Sequence, residues 1–263
     1  MNDPRRDRML ALGAPLFLIG LWELAVQTGV LDARFFPPPS LVVLTFWRLL
    51  ADGTLAAHTM ASVTRVLAGF SIGAAAGLAA GLAMGTIRSL RVALEPTISA
   101  LYVIPKVAIL PLVMLIFGLG EASKIAIIAI ATFFIVVINT TAAVVGVEPL
   151  YIEAGRAFGA RRLQMFAHII LPGALPAIFT GMRLALGTAL IVIIAAEFVA
   201  AKDGIGYFIW FAWNTLRPEE MFAGFIVIGA LGMLSYEAVR RVGHRVMPWL
   251  EDDRPRGGRI DHG

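Results

Sequence analysis

Residues 148–172 read EPLYIEAGRAFGARRLQMFAHIILP, a polar insert between two long apolar runs. The insert is too charged to cross a bilayer as a helix and too regularly patterned to be a slack loop. Pro149 sits where a first helical turn tolerates proline, because that backbone N–H has no intrahelical partner. Glu153 near the start, with Arg161 and Arg162 further on, follows the polarity that the helix macrodipole favours. Pro172 is placed to stop or bend the chain beyond it. The spacing predicts a short amphipathic helix over about 149–165, outside the membrane, with Ala154, Ala157, Phe158 and Arg161 on one face. Gly155 and Gly159 keep the neighbouring stripe low, so one aromatic side chain stands out from a flat surface. Such a face suits docking into a groove.

The rest of the chain is apolar. Of its 263 residues 59% are hydrophobic and 15% charged, and the mean hydropathy is +0.81. Soluble domains carry roughly a quarter charged residues, and several stretches here exceed the ~20 residues a helix needs to cross hydrocarbon. Those stretches lack the period-two alternation of a membrane barrel. The expected fold class is therefore all-α: a polytopic helical membrane protein of about six transmembrane helices, at roughly 10–29, 60–86, 101–118, 123–147, 174–200 and 221–240.

Orientation follows from the 22 Lys and Arg residues. Fourteen, from Arg5 to Arg259, fall on one side of that arrangement. Five (Arg34, Arg48, Lys124, Lys202, Arg217) fall on the other, and Arg65, Lys106 and Arg183 lie within spans. The positive-inside rule then puts both termini and the 149–165 helix in the cytoplasm. The same arginines account for a pI near 9.8 without any nucleic-acid partner. The first apolar run, about 20 residues long after Arg5 and Arg6, exceeds a ~7–15-residue signal core and lacks a small-x-small cleavage site, so it reads as a retained anchor. Residues 1–9 are then a cytoplasmic segment and 10–247 a single membrane domain. Residues 248–263 form a charged, Gly- and Arg-rich tail expected to be disordered.

Several features inside the spans admit two readings. Gly69, Gly73, Gly77, Gly81 and Gly85 recur every four residues along one face, which suits either tight packing against another helix or a moving interface. Pro105 and Pro111 bend or break the third span; broken helices can mark transport sites. Lys106 and Arg183 snorkel to an interface or pair structurally, or else contact cargo. Arg65 and Glu197, near the outer ends of their spans, are candidates to pair with each other. Asn139, Thr140 and Thr141 offer neutral polar groups. FFPPPSLVVLTFWRLLADG, after the first span, predicts an amphipathic segment along the outer interface anchored by Trp47 and Arg48.

Nothing in the chain suggests chemistry of its own. It has no cysteine, and its four histidines show no metal-ligand spacing. There is no phosphate-binding GxxxxGK[ST] loop, no GxSxG elbow and no carboxylate pair set for acid–base work.

The polar insert resembles the cytoplasmic signature of ABC importer permeases: Glu-Ala-Ala, three residues, Gly, nine residues, Ile-x-Leu-Pro. Here that is Glu153, Ala154 and Gly155, then Gly159, then Ile169, Leu171 and Pro172, with Gly155 in place of the second alanine. FFPPPS, SVTRVLAGFSIG, IPKVAILPLVMLIFGLGEASKI, LPAIFTGMRLALGTALIVIIAAEF and GIGYFI extend the likeness from Phe35 to about Gly243. They are similar to the nitrate, sulfonate, taurine and bicarbonate group of binding-protein-dependent permeases.

The resemblance implies a permease subunit in a bacterial inner membrane, working as a homodimer with separate cytoplasmic ABC ATPase subunits and a periplasmic or lipid-anchored binding protein. ATP and Mg would sit on the ATPase, and this chain would bind no cofactor. Glu153, Arg161 and Arg162 would make polar contacts to the ATPase and Phe158 would insert as the anchor. Gly159 would let the groove wall approach, and Pro172 would set how the coupling element joins the fifth span. The implied cargo is a small anion such as a sulfonate, taurine or nitrate, with a pyrimidine-like heterocycle as the alternative. The rival class is an ATP-independent secondary transporter or channel, which predicts an inverted repeat with a charged site at mid-bilayer. Neither is evident in the chain.

Overall fold

The computed structural model describes residues 4–251, with side chains over 13–249. All regular structure in that range is helical. In chain order the α-helices are α1 (Pro4–Gln27), α2 (Pro39–Ala51), α3 (Thr54–Thr86), α4 (Arg88–Val103), α5 (Leu110–Phe117), α6 (Glu121–Val145), α7 (Pro149–Ala157), α8 (Arg162–Met165), α9 (Leu171–Ala200), α10 (Ile205–Asn214) and α11 (Pro218–Val246). Lys106–Ile109 and Pro248–Glu251 form 3-10 turns, and Phe166–Ile170 forms a π turn.

Among the described residues, four helical runs are long and apolar enough to cross a membrane: α3, α6, α11 and the continuous run Arg162–Ala200. A fifth exists only if α4 is counted with the segment Lys106–Phe117 across an 88° bend. Of the expected spans, the one at 10–29 begins outside the residues with described side chains, and the one at 101–118 is not one helix. Its first residues close α4, and the chain turns sharply at Ile104–Pro105. Pro105 has no N–H to continue the ladder, and it drives Ile104 to an extended conformation, φ −64° and ψ 122°. α2 is a shorter apolar helix, as is α1 over its described side chains, Gly13–Gln27. Of the expected terminal segments, residues 1–3 and 252–263 lie outside the described residues. The first residues of the 248–263 segment form the Pro248–Glu251 turn.

The chain divides into two compact units. The first holds the chain up to Thr64 and Ile194–Ala230. In it, Glu23 of α1 accepts hydrogen bonds from the N–H and the hydroxyl of Ser40 at 2.9 Å each. Trp22 packs on Phe222 with ring centroids 5.2 Å apart. α2 forms where an amphipathic segment is expected. It buries Val42, Thr45 and Leu49 while Trp47 stays exposed, and Arg48 reaches Glu220 at 3.5 Å. Asp52 accepts the Thr54 N–H at 2.9 Å at the start of α3. That bond holds its carboxyl below the usual carboxylate range.

The second unit holds Arg65–Ile193 and the chain from Leu231. Its centre is the contact of α3 with α6, where the glycine stripe meets large side chains one by one. Gly69 lies over Ile128, Gly73 over Thr132, Gly77 over Val136, Gly81 over Thr140 and Gly85 over Val144. A Cβ at Gly77 would sit 2.9 Å from both the Phe133 carbonyl and Val136 Cβ. Of the two readings of the stripe, close packing is what the geometry contains. Helices in lipid gain no hydrophobic drive toward each other and depend on such intimate contact. Gly77→Ala should lower the thermal unfolding midpoint of the detergent-solubilised protein by an amount equivalent to ~1–3 kcal/mol. Gly187→Ala in α9, whose Cβ meets nothing within 4 Å, should leave the midpoint level or slightly raised.

Candidate functional site

The polar insert folds into two pieces rather than the single helix expected over 149–165. α7 starts with Pro149 in its first turn and stops at Ala157. Gly159 adopts φ +74°, a conformation only glycine takes readily. The Gly159 N–H donates to the Arg156 carbonyl and the Ala160 N–H to the Gly155 carbonyl, both at 2.9 Å. This pair of bonds is a Schellman stop. A Cβ at Gly159 would meet open space, so within this chain the glycine serves the backbone turn. The chain restarts at α8, where the Arg161 N–H donates to Gln164 Oε1 at 2.9 Å. It then runs without interruption into α9. Pro172 therefore does not stop the helix: the π turn just before it, closed by the Leu171 N–H on the Phe166 carbonyl, carries the ladder up to a residue that cannot donate.

This geometry sorts the predicted residues into an inner and an outer set. Gly155 is buried, and Ile169 and Met165 pack over it so closely that a Cβ would stand 2.9 Å from Met165 Cε. Ile152 packs against the cluster of Ala143, Val144, Val147, Ala174 and Ile178. Ile169, Leu171 and Pro172 are half-buried. Glu153, Ala154, Phe158, Gly159, Arg161 and Arg162 are exposed, and Phe158 is 92% exposed. Leu150, Tyr151 and Leu163 are exposed as well. An open groove of about 940 Å³ lies beside this segment, lined by Thr86, Ile87, Arg156, Arg162, Leu163 and Phe166 among others. The insert is thus fixed to the membrane helices on one side and presents apolar and cationic side chains on the other.

Several polar residues of the spans have local partners, while the buried Thr132 and Thr140 hydroxyls have none among the described residues. Lys106 sits at the α4–α5 break, where its ammonium donates to the carbonyls of Leu101, Tyr102 and Ile104 at 2.8, 3.1 and 2.9 Å. The Phe134 ring lies 4.4 Å from its Nζ. All three N–H donors are committed to the carbonyl end of α4, which the break leaves without intrahelical partners. Lys106 is therefore an elbow pin rather than an open cation. Asn139 donates to the Ile135 carbonyl at 2.8 Å, and its Cβ fills the notch at Gly181. Thr140 is buried over Gly81, and the Thr141 hydroxyl donates to the Gly81 carbonyl at 3.4 Å. Arg183 donates to the Phe179 carbonyl at 3.4 Å and lies 5.7 Å from the Tyr236 ring.

Arg65, with its side chain 3% exposed, forms a two-pronged ion pair with Glu121 at 2.5 and 2.8 Å, and Lys124 donates to the same carboxylate at 2.8 Å. Glu121 and Lys124 were not singled out from the sequence. Their i, i+3 spacing in GEASKI was the available signal, but the third member lies in another helix. In the first unit Glu197 is fully buried. It accepts the Ser62 hydroxyl at 2.8 and 2.9 Å and the Gly206 N–H at 2.8 Å, while the Ile205 N–H donates to Ser62 Oγ at 2.8 Å. His58 Nδ1 accepts the Gly204 N–H at 3.1 Å. Gly204, at φ +105°, lies against the Glu197 carboxylate where a Cβ could not fit. The GIGYFI segment needs its glycines for this close approach.

Two outcomes follow from these bonds. Lys106→Met keeps the stem and loses three charge-assisted bonds, so it should destabilise by about 2–3 kcal/mol or more in thermal unfolding. Glu197→Ala strands the Ser62 hydroxyl and the Gly206 N–H and should destabilise by ~1–3 kcal/mol per stranded group. Glu197→Gln retains an acceptor oxygen and should lose less on the same scale.

Residues 69–247 match the family model of the binding-protein-dependent transport system inner membrane component. SsuC of Escherichia coli (strain K12), which carries the name of an aliphatic sulfonates transport permease, is 39% identical over 221 residues, covering 84% of each chain. The taurine transport system permease protein TauC of the same strain is 33% identical over 249 residues, 93% of this chain and 90% of the relative. The riboflavin transport system permease protein RibX of Chloroflexus aurantiacus is 35% identical over 229 residues, 86% of this chain and 85% of the relative. Among solved structures, an inward-facing form of the MetNI methionine ABC transporter shares the fold, with a TM-score of 0.64 at 19% identity over 71% of this chain and 93% of that one. The family model covers most of the membrane-spanning sequence, and the permease relatives cover nearly the whole chain, so this protein belongs to the family of binding-protein-dependent transport system inner membrane components and is a multi-pass permease subunit of an ABC importer.

Proposed function

We propose that this permease imports small organic sulfonates, taurine among them, as a homodimer driven by cytoplasmic ABC ATPase subunits. A periplasmic or lipid-anchored binding protein would deliver the cargo. The observation that carries the coupling is Phe158: it is 92% exposed on a segment outside the spans whose other side is packed into the membrane helices through Ile152 and Gly155. A protruding aromatic ringed by polar groups is how a hot-spot anchor looks before its partner arrives. Phe158 inserts into a groove on the ATPase, Glu153, Arg161 and Arg162 make the surrounding polar contacts, and the Gly159 turn keeps the backbone beside the anchor low. The chain's own part is non-catalytic, with ATP and Mg held by the ATPase. The sulfonate and taurine names of two relatives, each matched over most of the chain, support the cargo. The riboflavin name of a third supports a heterocyclic cargo as the second reading.

Phe158→Ala should weaken co-purification of the ATPase by roughly thirtyfold or more in affinity, the result of losing about 2 kcal/mol at an anchor. ATP-driven uptake into proteoliposomes should fall with it, and the unfolding midpoint of the isolated permease should stay level. Normal uptake by this variant would refute the anchor. Binding of taurine, alkanesulfonates, nitrate and riboflavin to the partner binding protein decides the cargo. Tight riboflavin binding without sulfonate binding would replace the first reading with the second.

A further inference from the structure

Arg183 is the unusual cation of the second unit. It is half-buried, twelve residues into α9, and no carboxylate among the described residues pairs with it. The single 3.4 Å bond to the Phe179 carbonyl and the Tyr236 ring 5.7 Å away leave most of its five N–H donors uncommitted. A charge held this way inside a membrane helix is costly unless something pairs with it. Arg65 and Lys124, the buried cations of this unit, share the Glu121 carboxylate.

Arg183 also borders a cavity of about 170 Å³ between α9 and α11, room for several waters at ~30 Å³ each. Two more basic side chains, Arg240 and His244, line it, and Phe179, Val239 and Met247 form apolar walls. The only carboxylate nearby on α11 is Glu237, and it is shared between Arg240 at 2.9 Å and Arg241 at 2.8 Å. Among the described side chains, the arginines at the rim outnumber its carboxylates. The cavity lies at the arginine-rich end of α11, the end that the positive-inside bias assigns to the cytoplasm.

We propose that this cavity binds a singly charged tetrahedral oxyanion carried on an apolar or flexible stem, with Arg183 as the recognising group. Two molecules carry that chemistry: the phosphodiester of an anionic phospholipid in the inner leaflet, and the sulfonate of a cargo molecule leaving the pathway. A planar guanidinium presents a fork that matches tetrahedral oxyanions, the apolar walls suit the stem, and basic pockets between membrane helices are where anionic headgroups lodge. The cargo source rests on the sulfonate reading above; the lipid source does not.

The test uses the full-length permease in nanodiscs, with Arg183→Gln, Arg183→Lys and, as a control, Arg245→Gln from the same end of α11 but away from the cavity. In discs containing phosphatidylglycerol, native mass spectrometry counts retained lipid. In discs of phosphatidylcholine alone, the unfolding midpoint is followed as butane-1-sulfonate is added. Retention of phosphatidylglycerol that drops about tenfold in Arg183→Gln and not in Arg245→Gln establishes a lipid site. A saturable sulfonate shift with the same variant pattern establishes a cargo site. Arg183→Lys, which keeps the charge without the fork, should bind with intermediate strength in whichever arm responds, and it serves as the working variant if Arg183→Gln does not fold. No retention and no shift in the wild type, or equal loss in Arg183→Gln and Arg245→Gln, overturns the proposal. ATP-driven taurine uptake by the wild type reads the transport proposal separately.

Discussion

A backbone N–H or carbonyl that faces hydrocarbon has no water to bond, so each departure from helix inside a membrane protein must find its own polar partner. That constraint explains where this chain spends its few buried polar groups. At Ile104–Pro105 the helix breaks, and the Lys106 ammonium collects three of the carbonyls at the end of α4. After Ala200 the chain turns through Gly204 into α10, where Glu197, Ser62 and His58 take the N–H groups of Gly206, Ile205 and Gly204. At Phe158–Ala160, outside the spans, the backbone closes the stop on itself through Gly159. Two residues that look like pathway candidates in the sequence, Lys106 and Glu197, are residues that make irregular backbone tolerable.

The same economy governs packing. α3 carries little bulk on its glycine stripe, so α6 supplies it with Ile128, Thr132, Val136, Thr140 and Val144. The contact is a matched surface, small against large, and it needs no polar group to specify its register. Two of the facing residues are threonines, whose Cβ atoms fill the hollows at Gly73 and Gly81. A β-branched side chain is stiff at χ1, which helps it act as a fixed knob.

Much of this was legible in the sequence because its causes are local. Long apolar runs, glycines every fourth residue and the Glu153-to-Pro172 spacing need no knowledge of distant neighbours. What escaped depended on which helix faces which. Arg65 was visible as a buried charge, but its bond to Glu121 joins residues 56 positions apart. Lys106 reads in the sequence as snorkelling or structurally paired; the carbonyls it pairs with come from the 88° bend, which periodicity does not show. The insert read as one helix because helical periodicity continues through it. Gly159 could have signalled the stop, since glycine is the usual residue just past a helix end, but it was read as a low spot on a continuous face. Pro172 reads as a stop or a bend because a π turn just before it leaves no mark on periodicity.

For the coupling proposed above, the two-piece insert is better suited to transmitting force than the single helix would be. A lone surface helix held by one contact would roll when pulled. Here Ile152 grips the α6–α9 core, and the closely packed Gly155, Met165 and Ile169 tie α7 to the α8 end of the long run Arg162–Ala200. Phe158 projects from the tight turn between these two attachments, so a displacement of its ring reaches both. The π turn at Phe166–Ile170 lies in that run just ahead of Pro172 and Pro176, which cannot donate to the ladder, and such turns mark points where a helix can change register or direction. A pull at Phe158 would therefore be expressed as reorientation of α9 about that turn. α9 is also the helix that carries Arg183, so anion occupancy of its cavity and engagement of Phe158 would act on the same element.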